Sequence, residues 1–321
     1  MDALVAPEPG FLQLHVENRD AVREELIRGL RRSPAEVSPK FLYDPLGSRL
    51  FDAITELAEY YPTRTEAAIM SRHAAPIADA MGTGGVLVDL GAGNCAKAGR
   101  LFATLRPSRY VAVDISVEFL RQSLACLQRE HPTVPMLGIG MDFSSTLELP
   151  AEAGDGPRQL FYPGSSIGNF TPDAALRFLR QAYAASQGGQ LLIGVDLVKD
   201  KAVLEAAYDD ALGVTGAFNL NLLNHLNALL EADFEVRQWA HLARFDEARS
   251  RIEMHLRARE PLTVRWPGGE RRFDAGECLH TENSYKYRAD DFEALLRDAG
   301  FGRIRRWADP QDWFAVFAAG T

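Results

Sequence analysis

Short apolar segments alternate with amphipathic helical segments through the middle of the chain, from residue 86 to residue 195. Strands of a parallel sheet are covered on both faces, so they read as continuous apolar runs, and the helices between them form the crossover connections. The pattern therefore predicts a doubly wound α/β domain. Its strands are predicted at residues 86–90, 110–113, 135–139, 159–162 and 190–195, with helices starting near residues 96, 117 and 172.

This alternation stops after Asp196. Residues 199–230 follow a helical pattern, and residues 234–263 contain two stretches of strand-like alternation, so we interpret this segment as an insertion. The α/β pattern then returns with a helix over residues 289–299. Two strands at residues 302–307 and 313–317, joined by the short turn ADPQD, predict a closing antiparallel hairpin.

The first 60 residues carry helical and loop signals without this rhythm, and a helix predicted over residues 65–81 leads into the sheet. We therefore predict two domains. The doubly wound domain comprises residues 65–196 and 284–321. An α+β domain comprises residues 1–64 and the insertion, residues 197–283.

Charge and cysteine content narrow the classes of function. The 321 residues include 35 Lys and Arg against 44 Asp and Glu, a net charge of −9, which argues against a broad phosphate-binding surface and a nucleic-acid partner. The three cysteines lie too far apart for a CxxC motif, and the seven histidines show no HxH or HExxH spacing, so we predict no metal site. No stretch approaches the roughly 18 apolar residues of a membrane span. We expect a soluble, cytoplasmic monomer.

The segment VLVDLGAGNCAKAG places Asp89, Gly91 and Gly93 between the first predicted strand and its helix. Glycines there allow the backbone to approach a ligand closely, at the edge of the sheet where open α/β folds bind ligands. Asp114 ends the second predicted strand, 21 residues past Gly93, where a carboxylate can accept both hydroxyls of a ribose. The loop also satisfies the GxGxxA pattern of dinucleotide-binding proteins, so a nicotinamide-dependent oxidoreductase is an alternative.

Three features favour S-adenosylmethionine (SAM) over a nicotinamide cofactor. Asp89 stands two residues before the first glycine, Asp142 and Phe143 follow the third predicted strand, and the predicted hairpin closes the sheet. A sulfonium-bearing amino acid joined to adenosine calls for acidic and aromatic neighbours rather than a helix N-terminus that cradles pyrophosphate. The pattern is that of class I methyltransferases. A turn-capping role for Asp142 is the structural alternative.

Several polar and aromatic blocks are not explained by packing. In chain order they are FLYDPLGSRLFDAITELAEYYPTRTE, YPGSSIGNFTP, GVDLVKD, AYDDALGVTGAFNLNLL, RIEMHLRA and HTENSYKY. This series resembles the histidine Nα-methyltransferases of ergothioneine biosynthesis, over residues 38–317. The resemblance implies transfer of three methyl groups from SAM to the α-amine of L-histidine, giving hercynine and S-adenosylhomocysteine. It also implies that the N-terminal segment and the insertion form the substrate domain.

The resemblance carries over residue by residue. It implies that Asn169, with the nearby Gly164, recognises the amine. Tyr43 and Tyr60 correspond to tyrosines of the substrate cavity, and Tyr208 to the tyrosine that binds the carboxylate. Glu282 and Ser284 correspond to the pair that reads the imidazole, with Met254 beside the ring. The cofactor residues are Asp89, Gly91, Gly93, Lys97, Asp114, Asp142 and Phe143.

Simple chemistry supports these roles. Methyl transfer needs a neutral amine held in line with the sulfonium methyl, and the amide oxygen of Asn169 accepts from an amine without favouring its ammonium form. A hydroxyl such as that of Tyr43 is a candidate guide or proton acceptor for the later methylations. Neutral imidazole has one donor and one acceptor nitrogen, which Glu282 and Ser284 on one strand face would satisfy. We therefore expect Glu282 to set the specificity.

A purely structural role is the alternative for several of these residues. The three tyrosines are also compatible with half-buried core positions, Met254 with core filling, and Asn169 with a turn. The glycine loop departs from the family form, GSGTSxKT, at Asn94, Cys95 and Ala98, and Tyr162 and Pro163 replace the usual Phe-Leu pair before Gly164. The rival functions are the same chemistry on another amino acid such as tryptophan, the oxidoreductase, and a protein that binds SAM without turnover.

Overall fold

The computed structural model describes residues 8–14, 18–144 and 146–321. Its helices are α1 Arg19–Leu30, α2 Pro45–Thr55, α3 Tyr61–Arg72, α4 Ala74–Met81, α5 Ala96–Gly99, α6 Phe102–Leu105, α7 Val117–Glu130, α8 Pro172–Ala185, α9 Lys201–Tyr208, α10 Val214–Leu230 and α11 Ala289–Asp298. Its strands are β1 Gly10–Gln13, β2 Ala35–Glu36, β3 Val86–Leu90, β4 Arg109–Asp114, β5 Met136–Gly140, β6 Arg158–Tyr162, β7 Gln190–Asp196, β8 Trp239–Asp246, β9 Arg251–Ala258, β10 Leu262–Trp266, β11 Gly269–Phe273, β12 Cys278–Tyr285, β13 Arg303–Ala308 and β14 Phe314–Gly320.

The described residues divide into two compact units. The large unit contains residues 8–14, 62–198 and 286–321, and the small unit contains residues 18–61 and 199–285. Residues 1–7 and 15–17, which the sequence analysis assigned to the α+β domain, lie outside the described residues.

The large unit is built on an eight-stranded sheet in the order β1-β5-β4-β3-β6-β7-β14-β13. The strands from β1 to β7 in this order run parallel, whereas β14 is antiparallel to β7 and to β13. The strand order reverses at β3, because β4 lies on one side of it and β6 on the other. The predicted class I methyltransferase fold, a doubly wound sheet closed by an antiparallel hairpin, is confirmed.

Side chains alternate between two apolar layers, one on each face of this sheet. Val88, Val111 and Leu160 pack with residues of α8 and α11. Leu87 and Phe161, on the opposite face, pack with residues of α3 to α7. Burial on both faces explains why the strands appear in the sequence as uninterrupted apolar runs.

Two details of the large unit differ from the prediction. β1 pairs in parallel with β5 at the edge of the sheet, although the sequence analysis placed every residue before 65 in the α+β domain. The helix predicted over residues 65–81 is two helices, α3 and α4, which meet at His73. Pro76 explains the break, since its ring would clash with the carbonyl four residues earlier in a continuous helix.

The small unit contains a four-stranded sheet in the order β2-β12-β9-β8, a separate hairpin of β10 and β11, and the helices α1, α2, α9 and α10. The helical tract predicted over residues 199–230 is confirmed as α9 and α10, and the two stretches predicted after it are β8 and β9. Among the described residues, no helix is long and apolar enough to cross a membrane.

Candidate active site

The predicted site residues fall into two groups, one in each unit. The first group lies in the large unit, at the carboxyl ends of β3, β4, β5 and β6 and in the loops and short helices that follow them. These loops surround the point where the strand order reverses, which is where open α/β sheets bind their ligands. The second group lies on helices and strands of the small unit.

The loop after β3 takes a backbone shape that favours glycine at its predicted positions. Gly91 and Gly93 have φ angles of 72° and 52°, in the left-handed region. A Cβ added to Gly93 would meet no atom within 4 Å, and one on Gly91 would lie 3.7 Å from Cζ of Phe143. The loop therefore leaves open space above its backbone.

The unusual residues of this loop have structural roles. Cys95 is fully buried, takes a φ of 59°, and packs in the apolar layer beneath the loop. Burial raises the pKa of its thiol. Asn94 Oδ1 accepts from the Ala96 backbone N–H at 3.0 Å and so supports the start of α5.

Asp89 is 1% exposed, at the end of β3. The Tyr110 hydroxyl donates to its Oδ2 at 2.8 Å, while its Oδ1 is buried and has no hydrogen-bond partner among the described residues. Burial raises the pKa of this carboxyl from 3.8 to about 7; the Tyr110 hydrogen bond opposes the rise, and the nearby Asp114 adds to it. An unsatisfied buried acceptor of this kind fits a site that receives a ligand donor.

Asp114 ends β4 with its carboxylate held by two backbone donors. Its Oδ2 accepts from the Gly93 N–H and its Oδ1 from the Ser116 N–H, both at 2.9 Å. Each oxygen keeps a second lone pair, so the fixed carboxylate can accept two neighbouring hydroxyls. Burial raises the pKa of Asp114, which these backbone hydrogen bonds oppose.

Asp142 and Phe143 follow β5. Asp142 Oδ1 accepts from the Ser144 N–H at 3.0 Å and from its hydroxyl at 2.5 Å, so the turn-capping role of this carboxylate is present in the structure. Phe143 packs edge-on against Tyr162, with ring centroids 6.0 Å apart, and its tip approaches Gly91. Phe143 therefore forms a wall beside the glycine loop.

Lys97 lies on α5, and its Nζ is 2.8 Å from Oε2 of Glu66 on α3. The other oxygen of Glu66 accepts from the Gly164 backbone N–H at 2.8 Å. The structure thus joins two predicted site residues, Lys97 and Gly164, through a carboxylate that the sequence analysis did not select. Its position in the EYYPTRTE block was the available signal.

The turn after β6 carries Gly164 and Asn169. Gly164 and Ser165 have φ angles of 75° and 59°, and the Ser165 hydroxyl oxygen accepts from the Asp196 backbone N–H of β7 at 2.9 Å. Asn169 ends the short 3-10 helix Ser166–Asn169 and is half-buried. The structure shows no hydrogen-bond partner for the Asn169 side chain within the described residues, so its amide can accept from a ligand.

The predicted tyrosines of the small unit lie in one aromatic cluster. Tyr43 packs on Phe51 and on Phe218, each with ring centroids 5.5 Å apart. Phe51 contacts Tyr60 at 6.2 Å, and Tyr60 contacts Tyr208 at the same distance. The structure therefore brings Tyr43, Tyr60 and Tyr208 together and adds Phe51 and Phe218, which the sequence analysis did not select.

The Tyr208 hydroxyl is hydrogen-bonded to Ser284 Oγ at 2.7 Å, in a buried position. Tyr208 is at the end of α9, and Ser284 is on β12. This contact links the residue predicted to bind the carboxylate to one of the pair predicted to read the imidazole.

A β-bulge in β12 decides which side chains face this cluster. Residue pairs across β12 and β9 shift register between His280 and Glu282, with Thr281 as the additional residue. After the shift, Glu282 pairs with Met254, and Ser284 pairs with Ile252. Paired residues project to the same face of a sheet, so Glu282, Ser284 and Met254 share one face, as predicted.

The opposite face of the same strands carries a separate charged network. Burial raises the pKa of Glu253, but hydrogen bonds from Arg244, Arg251 and His255 outweigh this effect and lower the pKa to about 2. Burial lowers the pKa of His255 to about 4. Without the bulge, Glu282 would share the face of His280 and belong to this network.

These residues fit SAM. The glycine loop offers open space beside its backbone, Asp114 presents two oriented acceptors for a ribose, and Asp89 holds an unsatisfied buried acceptor. Phe143 supplies an apolar wall, and Lys97 a cation. Among the described residues, no cluster of His, Cys, Asp and Glu could hold a metal ion.

Comparisons with known proteins find relatives that match most of the chain. It is 42% identical over 308 residues to the histidine N-alpha-methyltransferase of Mycobacterium tuberculosis (strain CDC 1551 / Oshkosh), over 93% of this chain and 94% of that protein. It is 39% identical to the protein of the same name from Mycolicibacterium smegmatis, over 94% and 95% of the two chains. Ergothioneine biosynthesis protein 1 of Neurospora crassa is 30% identical over 85% of this chain, which spans 32% of that longer protein.

The family model described as histidine-specific, SAM-dependent methyltransferase matches residues 22–321, and so includes both groups of site residues. With the class I fold, the glycine loop and a match of this length, the chain belongs to the SAM-dependent, histidine-specific methyltransferase family.

Proposed function

We propose that this protein transfers three methyl groups in succession from SAM to the α-amine of L-histidine, giving hercynine, the first step of ergothioneine biosynthesis. The observation that carries the proposal is the similarity to histidine N-alpha-methyltransferases over most of the chain. The common face of Glu282, Ser284 and Met254 supports it, because this is the set expected to read an imidazole.

On the cofactor side, Asp114 would bind the ribose hydroxyls, and the backbone at Gly91 and Gly93 would lie against the cofactor. Phe143 would pack on the adenine, with Asp142 beside it, and Lys97 and Asp89 would face the amino-acid end. When bound, SAM supplies a methyl group on a positively charged sulfur. The protein's part is to orient the amine toward that methyl group and to exclude water.

On the amine side, Asn169 would accept a hydrogen bond from the α-amine. Its amide is neutral, so it holds the nitrogen without stabilising the ammonium form, which has no lone pair for the attack. Gly164 shapes the turn that presents Asn169. Tyr43 is the proposed guide or proton acceptor as the amine becomes secondary and then tertiary, and Tyr60 would line the cavity.

On the imidazole side, the Glu282 carboxylate would accept from the donor nitrogen of the ring, and the Ser284 hydroxyl would donate to the other nitrogen. Met254 would pack against the ring. Tyr208 is hydrogen-bonded to Ser284 without substrate, and on binding it would turn its single hydroxyl proton from Ser284 to the substrate carboxylate. Tryptophan cannot satisfy this pair, because its indole has a donor and no acceptor nitrogen.

The test is mass spectrometry of the products after the purified protein is incubated with SAM and a mixture of all twenty amino acids. Histidine alone should gain three methyl groups, on its α-amine. Methylation of a different amino acid would contradict the proposed reader, and SAM binding without any methylated product would favour a binding protein without turnover.

We also propose that the protein works in the cytoplasm as a monomer. Its cysteines are all free, which suits a reducing compartment. The reaction needs only small molecules, histidine and SAM.

A further inference from the structure

Glu66 is a buried carboxylate with two strong partners. It is 1% exposed, its Oε2 lies 2.8 Å from the Lys97 ammonium, and its Oε1 accepts from the Gly164 N–H at 2.8 Å. Acidic side chains are rarely buried to this degree unless they are paired, because the loss of water must be offset by other donors. Both oxygens of Glu66 are satisfied by groups from other segments of the large unit.

The backbone around Glu66 is shaped to accept it. A Cβ added to Gly194 of β7 would lie 1.9 Å from Glu66 Oε1, and one added to Gly164 would lie 2.9 Å from Lys97 Nζ. Any side chain at Gly194 would therefore displace the carboxylate. Two glycines, Gly164 and Gly194, thus leave room for one ion pair.

The two partners of Glu66 lie in the segments that follow two neighbouring strands, β3 and β6, where the strand order reverses. Lys97 belongs to the segment after β3, and Gly164 begins the turn after β6 that ends at Asn169. Glu66 comes from α3, which is part of neither loop. One carboxylate thus connects the glycine-loop segment to the turn that carries the proposed amine acceptor.

The ion pair restrains Lys97 without using up its ammonium. It occupies one of three donors, and the side chain is 31% exposed beside a cavity of about 320 Å³ that Thr63, Ser71 and Arg100 also line. An unrestrained lysine would have to be ordered each time it bound an anion. Glu66 removes much of that cost beforehand.

We infer that Glu66 is a positioning residue for methyl transfer, which holds Lys97 on the cofactor side and the Gly164 turn on the amine side. The inference rests on the proposed function for the roles of Lys97 and Asn169. In this role Glu66 contacts neither substrate and acts through Lys97 and the Gly164 turn.

Two substitutions separate the two contacts. In Glu66→Gln, the single carbonyl oxygen can still accept from the Gly164 N–H, but the amide group no longer attracts the Lys97 ammonium. In Glu66→Met, a side chain of similar size removes both contacts. The Gln variant should therefore disturb the cofactor side alone, and the Met variant both sides.

The experiment measures binding of S-adenosylhomocysteine by calorimetry, the KM for histidine at saturating SAM, and amide hydrogen exchange. Glu66→Gln should weaken S-adenosylhomocysteine binding by about 2- to 10-fold, the cost of ordering one long side chain. Its KM for histidine and the exchange of residues 164–169 should stay close to wild type. Glu66→Met should show the same weakening together with a higher KM for histidine and faster exchange in residues 164–169.

Gln159→Met is the matched control. Gln159 is also buried in the large unit, and its Nε2 donates to the carbonyls of Met81 and Gly82 at the other end of β6. This substitution should lower the free energy of unfolding without changing the affinity for S-adenosylhomocysteine or the KM for histidine. Equal effects of Gln159→Met and Glu66→Met on binding would show a general loss of stability and overturn the inference.

Lys97→Met separates the inference from the proposed function. If Lys97→Met weakens S-adenosylhomocysteine binding and Glu66→Gln leaves it unchanged or tighter, Lys97 needs no positioning and the inference is wrong. If Lys97→Met has no effect, the assigned role of Lys97 fails and the inference fails with it. The products formed by the wild-type protein test the reaction independently of both results.

Discussion

Single side chains of the candidate site owe their properties to burial. Asp89 shows this best, because its pKa is raised to about 7 by loss of water, and one of its oxygens has no partner among the described residues. The sequence predicted Asp89, Asp114 and the two glycines from their positions at strand ends. The EYYPTRTE block alone did not single out Glu66, because the contacts of Glu66 with Lys97 and Gly164 form only on folding.

Asp89 should make stability depend on pH. Its pKa is near 3.8 in the unfolded chain and about 7 in the folded protein, so it stabilises the folded state below about pH 4 and this contribution is lost as the pH rises to about 7. Asp89→Asn removes the titration. As the pH rises from about 4 to about 7, the unfolding free energy of wild type should fall relative to that of the variant by about 4 kcal/mol.

Urea unfolding at a series of pH values, without cofactor, measures this difference. The amide introduced by Asp89→Asn can still accept from Tyr110 and stays neutral throughout, so the variant reports every other titrating group of the protein. A difference that is constant with pH would show that Asp89 titrates normally.

Glu282 should control the use of histidine. Glu282→Ala removes a charged hydrogen-bond partner and should lower kcat/KM for histidine by about 10- to 150-fold, with little change in S-adenosylhomocysteine binding. Asn283→Ala is the control, because Asn283 is the next residue on β12 and bonds His280 on the opposite face. Steady-state kinetics measures kcat/KM for histidine in both variants, and calorimetry measures their affinity for S-adenosylhomocysteine. An equal loss of both quantities in Glu282→Ala would show that Glu282 has a structural role instead.

At the scale of elements, strands with clear apolar runs were predictable and long-range pairings were not. β3 to β7 and the closing hairpin follow from local patterns. β1 has only four residues and gains its place by pairing with β5, which lies far along the chain. The bulge at Thr281 is likewise invisible to a period-2 pattern, since a regular β12 would put His280 and Glu282 on the same face.

An ion pair fixes the place where the insertion leaves and re-enters the large unit. Asp196 ends β7, Lys286 follows β12, and their charged atoms are 2.7 Å apart with side chains 1% and 0% exposed. Lys286→Met would strand a buried carboxylate, so it should lower the free energy of unfolding by about 3–5 kcal/mol. The double variant Asp196→Leu, Lys286→Met should recover much of this loss, because no charge remains buried.

Urea unfolding of the two single variants and the double variant measures the coupling. If the double variant is as unstable as the sum of the single ones, the two groups do not interact and the pair contributes nothing at this position.

At the scale of the whole molecule, few large apolar side chains of the described residues are exposed. Five large apolar side chains of the described residues are exposed, and they are scattered along the chain: Leu14, Leu46, Tyr183, Val198 and Leu212. Stable homodimers usually need a continuous apolar patch. We therefore expect light scattering after size exclusion to give the mass of one chain, 35.5 kDa, and a mass twice as large would contradict the proposed monomer.

The junction at Asp196 and Lys286 has a consequence for how this chain can be altered. Leu197 and Tyr287 form a parallel bridge beside the ion pair, so the two ends of an 87-residue segment, residues 199–285, start from neighbouring points of the large unit. Segments with adjacent ends can be exchanged without stretching the domain that carries them. Residues 18–61 complete the same unit, so protein engineers would exchange them together with this segment, and could then leave the methyl-donor unit unchanged.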